Sequence, residues 1–135
     1  MIATIELGDL CRTTSGGTPS RDNAHYYGGN IPWVKSGELN DEIVTTTQER
    51  ITKSGLKNSN AELLPAGTLL IALYGATAGK LGVLGMEAAT NQAICAIFPS
   101  DEVNRDFLRF YLLAIGCVYS YLIPSLHTSK YPLIF

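Results

Sequence analysis

The chain has 135 residues, 46% of them apolar and only 16% charged, with ten basic residues against twelve acidic for a net charge of −2. That length fits one domain, and so much Ile, Leu and Val with so little charge argues against disorder. The charge excludes a protein held on nucleic acid by bulk electrostatics alone, but not a DNA-binding module within a larger assembly.

In chain order, residues 2–11 read as an opening strand and turn. Residues 13–30 read as a long loop holding Ser15-Gly16-Gly17-Thr18-Pro19-Ser20 and Tyr26-Tyr27-Gly28-Gly29-Asn30; ordered loops of that length are often functional. Ile31-Pro32-Trp33-Val34 reads as a short strand, which Pro32 places at a sheet edge or a strand start. Residues 41–47, with Ile43, Val44 and three threonines, read as another strand. Residues 51–58 form a short helix or turn containing Gly55. Leu64-Pro65-Ala66-Gly67 is a turn before a strand over 68–74. Strands over 81–84 and 93–98 follow, and Pro99 ends the last. Asn104 or Asp101 caps a helix from about 105 to 121, interrupted near Gly116 and ended by Pro124. Residues 125–135 have no clear period. Strands followed by a helix predict an α+β domain: a curved, mixed or mostly antiparallel sheet with a C-terminal helix. Ile71, Leu73, Val83, Ile94 and Ile97 are expected in its core, and strand is expected to exceed helix.

The stretch 69–99 is the most informative. Two apolar strands flank a glycine-rich loop carrying Tyr74, Thr77 and Lys80, and a third strand is preceded by Thr90-Asn91-Gln92. Polar groups thus stand at the ends of rigid strands, where sites are built. The loop is not a phosphate-binding P-loop. Gly75 and Gly79 enclose three residues instead of four, and Leu81 follows Lys80 where Ser or Thr would hold magnesium.

Catalytic chemistry is poorly supplied. His25 and His127 lack partners at ligand or triad spacing, and the doublets Asp41-Glu42 and Asp101-Glu102 would point to opposite faces of a strand. No nucleophile elbow, HExxH or GxGxxG motif occurs. Lys35, Glu38 and Asp41 leave a nuclease-type cluster open. The three cysteines Cys11, Cys95 and Cys117 form no CxxC pair, so neither a disulfide framework nor a metal site is suggested, and Cys95 reads as a small core residue. The longest apolar run, 110–123, is shorter than the roughly twenty residues that span a bilayer. No signal pattern opens the chain, so the expectation is a cytoplasmic protein without membrane partners. Binding chemistry is richer. Basic residues gather between Arg50 and Lys80, where four occur with one acidic residue, Glu62. Arg21, Lys35, Lys53, Lys57 and Lys80 can contact phosphates; Asn91 and Gln92 carry the amides that bind adenine, and Arg21 can read guanine. Equally, Asn91 can simply bond backbone at a strand start, and Trp33 can be core.

Taken in order, the motifs are Leu7-Gly8-Asp9-Leu10, Gly17-Thr18-Pro19-Ser20, Tyr27-Gly28-Gly29-Asn30-Ile31-Pro32-Trp33-Val34, Ile51-Thr52 with Gly55-Leu56, Leu64-Pro65-Ala66-Gly67-Thr68, Gly75-Ala76-Thr77-Ala78-Gly79-Lys80, Thr90-Asn91-Gln92-Ala93 and Phe107-Leu108. This ordered set resembles the target recognition domain of the DNA specificity subunit of type I restriction–modification enzymes. The resemblance implies a recognition domain over residues 1–113, followed over 114–135 by an atypical apolar tail that reads as the mark of a truncated, frame-shifted or half-length subunit. It implies sequence-specific binding of double-stranded DNA without catalysis. Methylase subunits would supply S-adenosylmethionine chemistry, and a restriction and translocase subunit would supply ATP and magnesium; this chain itself would carry no cofactor. The DNA-contacting set expected from residues and resemblance together is Thr18, Ser20, Arg21, Lys35, Ser36, Tyr74, Thr77, Lys80, Asn91 and Gln92, converging on one face. In such a shortened chain an unpaired sheet edge or exposed helix face would favour self-association. The alternatives are a structural or interaction remnant that no longer binds DNA, and an independent nuclease or methylase.

Overall fold

The structure is a computed structural model that describes residues 4–116 and 132–134. Strand exceeds helix among them, and they form an α+β arrangement with open, mixed sheets and a C-terminal helix. The main sheet has five strands in the order β2 (Thr13–Ser15), β9 (Ile94–Ile97), β6 (Leu69–Ala72), β7 (Leu81–Leu84) and β4 (Glu42–Val44). All its pairings are antiparallel except β4 with β7, which is parallel. The second sheet has three strands, β5 (Glu49–Ile51), β3 (Tyr27–Val34) and β8 (Ala89–Thr90). β1 (Thr4–Glu6) pairs with β10 (Pro132–Ile134) as a separate ribbon. Among the described residues three α-helices, α1 (Leu7–Leu10), α2 (Lys53–Lys57) and α3 (Arg105–Gly116), and two 3-10 turns, Ala24–Tyr26 and Ser36–Glu38, complete the set.

Alternation explains the layering. Leu69 and Ile71 point to one face of β6 and Leu70 to the other, as the period of two requires. The first face meets Leu81, Val83 and Cys95 and is covered by Leu7 of α1 and by Leu108 and Leu112 of α3. The opposite face joins Leu84, Ile94 and Ala96 to Val34, Leu39 and Leu64. Beyond it, Trp33, Ile51 and Ala89 form a third cluster with Tyr27, Ile31 and Leu56. Ile71, Leu73, Val83, Ile94 and Ile97 are all buried, as is Cys95. Desolvation pushes the Cys95 thiol up to about 12, which fits an inert packing residue.

Several local expectations are corrected. The segment after Glu6 is a helical turn, α1, not a simple turn. The long loop shrinks to residues 16–26, because Thr13–Ser15 pairs with β9 and β3 starts at Tyr27. The strand expected over 41–47 covers only Glu42–Val44. Pro32 lies in the central strand of its sheet rather than at an edge. It is tolerated there because β8 pairs with β3 only at Trp33 and Val34, so no β8 residue stands opposite it to need its missing N–H. Asn104, not Asp101, caps α3: its Oδ1 accepts from the Phe107 amide at 2.9 Å. α3 is described through Gly116; Cys117, His127, Pro124 and most of the tail lie outside the described residues.

Candidate nucleic-acid interface

The topology fixes where the polar loops meet. In the main sheet, Ser15 lies opposite Cys95, Ala72 opposite Ile94, Ile71 opposite Leu81, and Glu42 beside Gly82. The C-terminal ends of β2 and β6 therefore share one end of the sheet with the N-terminal ends of β4, β7 and β9. Loops 16–26 and 73–80, residue 41 and segment 91–93 all leave from that end. The parallel pairing of β3 with β8 adds Lys35-Ser36 beside Asn91, because Val34 and Thr90 are in register; the Asn91 amide donates to the Val34 carbonyl at 2.9 Å.

Side-chain contacts tie these segments together. The Thr18 hydroxyl donates to Gln92 Oε1. The Thr77 hydroxyl donates to the Ser36 carbonyl at 2.7 Å. Thr90 and Gly16 touch so closely that a Cβ on Gly16 would lie 2.1 Å from the Thr90 carbonyl oxygen. Only glycine fits there, because backbone on a strand end cannot yield. The indole N–H of buried Trp33 donates to the Gly17 carbonyl at 3.1 Å, and the Tyr27 hydroxyl donates to Pro19, so loop 16–26 is anchored at two further points.

Arg21, Lys35 and Lys80 are each engaged by a carboxylate. Arg21 makes a two-pronged contact to Glu49 at 2.7 and 3.1 Å, and Lys35 reaches the same carboxylate at 2.9 Å. The two cations hold the Glu49 carboxyl down at about 2, with Arg21 the larger influence. The Arg21 guanidinium also lies over the Tyr27 ring, 4.4 Å from its centre, and 5.3 Å from that of Trp33. Lys80 approaches Asp41 at 3.4 Å. Asp41 has φ of 68°, a left-handed conformation unusual for a side-chain-bearing residue. It is held there by accepting from the Leu81 amide at 2.8 Å through Oδ1, and by Arg109 of α3 donating to its carbonyl at 2.8 Å.

The expected contact residues thus occupy three kinds of position. Tyr74 is 52% exposed on the glycine-rich loop, where Gly75 and Gly79 take φ of 92° and 88°, and Gln92 is also exposed. Arg21, Lys35 and Lys80 are partly exposed but ion-paired. Ser20 and Asn91 bond local structure, Ser20 Oγ accepting from the Asp22 amide and Asn91 Oδ1 from the Ala93 amide at 3.2 Å, while Ser36 contributes its backbone carbonyl as acceptor for Thr77. Trp33 is core. Lys53 and Lys57 sit on α2, which packs against Tyr26 at the end of loop 16–26 through Gly55. Sequence reasoning missed Glu49, which is 28 residues from Arg21. Glu38, read in the sequence only as part of an open nuclease-type cluster, accepts with its two oxygens from the Lys35 and Gln48 amides at 2.8 Å each. No local signal marks Glu49, whose partners Arg21 and Lys35 come alongside only on folding.

The description "Type I restriction modification DNA specificity domain" belongs to the family model that matches residues 2–124. The specificity subunit of the type I restriction enzyme HindI from Haemophilus influenzae is 29% identical over 103 residues, covering 76% of this chain and 22% of its own length. The MjaIX specificity subunit from Methanocaldococcus jannaschii is 28% identical over 130 residues, covering 94% of this chain and 30% of its own. The chain thus spans less than a third of the curated relatives it matches. In fold it is similar to the HsdS subunit of Thermoanaerobacter tengcongensis, with a TM-score of 0.75 at 18% identity over 99% of this chain and 33% of that one.

Proposed function

Because this chain belongs to the type I restriction modification DNA specificity domain family, we propose that it reads a DNA sequence, without catalysis, for a type I restriction–modification system. The observation that carries the reading is the shared sheet end. Loop 16–26, Lys35-Ser36, loop 73–80 and Asn91-Gln92 leave from neighbouring strand ends and are bonded to one another there. A rigid sheet then presents amides, hydroxyls and cations together, as base reading in a groove requires. Double-stranded DNA is the ligand, and the site of action is the cytoplasm. Methylase subunits and a restriction subunit are the partners, and S-adenosylmethionine, ATP and magnesium belong to them. Residues 1–113 act as the recognition domain.

Binding to a random-sequence duplex library, by the chain alone and assembled with methylase subunits, tests the proposal. Gln92→Ala should cost about 1–3 kcal/mol on the selected sequence and little elsewhere. Lys80→Ala should weaken all sequences alike and lower the salt slope by about one. Enrichment and affinity indifferent to both substitutions would remove this face from DNA reading. Methyl transfer or cleavage by the chain alone would replace the proposal with an enzymatic one.

A further inference from the structure

We propose that Glu49 is a specificity-determining residue, an internal stand-in for phosphate that keeps Arg21 and Lys35 off random DNA and yields them only where base contacts are made as well. The inference rests on the DNA-reading function proposed above.

The chemistry of the cluster carries it. Three charged N–H donors converge on two carboxylate oxygens: Arg21 on both, Lys35 on Oε2. A guanidinium fork beside an ammonium is also the donor set that grips a phosphate. Glu49 therefore competes directly with the DNA backbone for the same groups. Its own position is not free to drift. Its carbonyl accepts from the Thr47 hydroxyl at 2.7 Å, and its backbone lies opposite Trp33 in the β3–β5 ladder. Arg21 is constrained from the other side by the Tyr27 ring, so the pair is held in one arrangement.

The cluster is also reachable. Glu49 lines an open cleft of about 350 Å³ with Tyr27, Gly28, Gly29 and Arg50, and a Cβ on Gly28 would meet no atom within 4 Å. The Arg21 side chain is 55% exposed. Ion pairs this wet are exchangeable, so a phosphate held in place by other contacts can displace Glu49. A phosphate arriving without them meets N–H donors already engaged and a negative charge among them.

Salt dependence reads this directly, because each phosphate neutralised on duplex DNA adds about 0.9 to the slope of log affinity against log salt. On a random-sequence duplex pool, Glu49→Gln should steepen the slope of this chain by about 1.8, bind roughly tenfold tighter at low salt, and lose enrichment for selected sequences. Arg21→Ala in the otherwise native chain should leave the random-pool slope unchanged, and in the Glu49→Gln background lower it by about 0.9. A Glu49→Gln slope equal to wild type overturns the inference, and so does an Arg21→Ala loss of equal size in both backgrounds. If wild type enriches particular sequences while those slopes stay flat, this inference alone fails. If neither wild type nor Glu49→Gln binds any duplex, the DNA-reading function fails and the inference falls with it.

Discussion

In the five-stranded sheet, β6, β7 and β9 are buried at every position, whereas in the three-stranded sheet Trp33, Val34 and Ile51 are buried while Gly28, Asn30 and Arg50 are exposed. The first sheet is sandwiched, with α1 and α3 on one face and a second apolar cluster on the other. The second sets Glu49 opposite Trp33 and two residues from Ile51, on the same face, but on the edge strand β5, where its ion cluster stays half in water. The difference separates two jobs. A strand buried on both faces contributes stability and can display chemistry only at its ends. A strand at a sheet edge can hold charged groups half in water, where they remain exchangeable. The candidate interface draws on both: strand ends from the large sheet, and an ion cluster from the small one.

The largest effect expected from this contrast is in the core of the large sheet. Leu70 is 0% exposed, and Leu70→Ala should cost about 2–5 kcal/mol of folding stability through lost burial and the cavity left behind. Urea unfolding measures it. A cost under about 1 kcal/mol would mean that the sheet collapses around the gap and is not the rigid base that the loops need.

A smaller and more local effect is expected at Trp33. Trp33→Phe keeps most of the apolar contact but removes the N–H that anchors the Gly17 carbonyl. The loss should be about 1–2 kcal/mol, concentrated in loop 16–26. Amide exchange there should quicken while β6 and β9 stay protected. Uniform quickening across both sheets would erase the distinction between them.

How far this architecture was legible depends on how local each signal was. β6, β7 and β9 are contiguous apolar runs bounded by glycine, proline and polar residues, so their presence could be read directly. The α3 start was legible because Asn104 is a residue type that caps helices. β2 was not, because Thr13-Thr14-Ser15 shows no apolar alternation and forms an edge strand stabilised by pairing with β9. β8 was missed because two residues carry no period. Pro32 misled because the rule against proline in central strands assumes a full-length neighbour on each side. At the interface, the polar residues around Thr18, Lys80 and Gln92 stood out by composition. Whether each was free, paired or turned inward depended on Glu49 and Asp41, which only the fold brings alongside Arg21 and Lys80, and on the short turn from Asn91 to Ala93.

The smallest effect concerns the Glu49 cluster itself, and pH isolates it. The carboxyl falls from an ordinary value of 4.5 to about 2 because Arg21 and Lys35 hydrogen-bond its charged form; Tyr27 is the other titratable group beside Arg21. A folded value below the unfolded one makes the contribution to stability fully present above about pH 4.5, and acid removes it as pH falls toward 2. Glu49→Gln lacks that carboxyl at every pH. Urea midpoints of wild type and variant should therefore differ most near neutrality and converge between about pH 4.5 and 2. All other acidic groups titrate in both proteins, so their effects cancel in the difference. The gap should be modest even at neutral pH, since ion pairs this exposed are worth about 0–1 kcal/mol. A gap constant across the acid range would mean that Glu49 is not ion-paired in solution. The edge of the small sheet would then present free cations, and its difference from the sandwiched sheet would be one of burial alone.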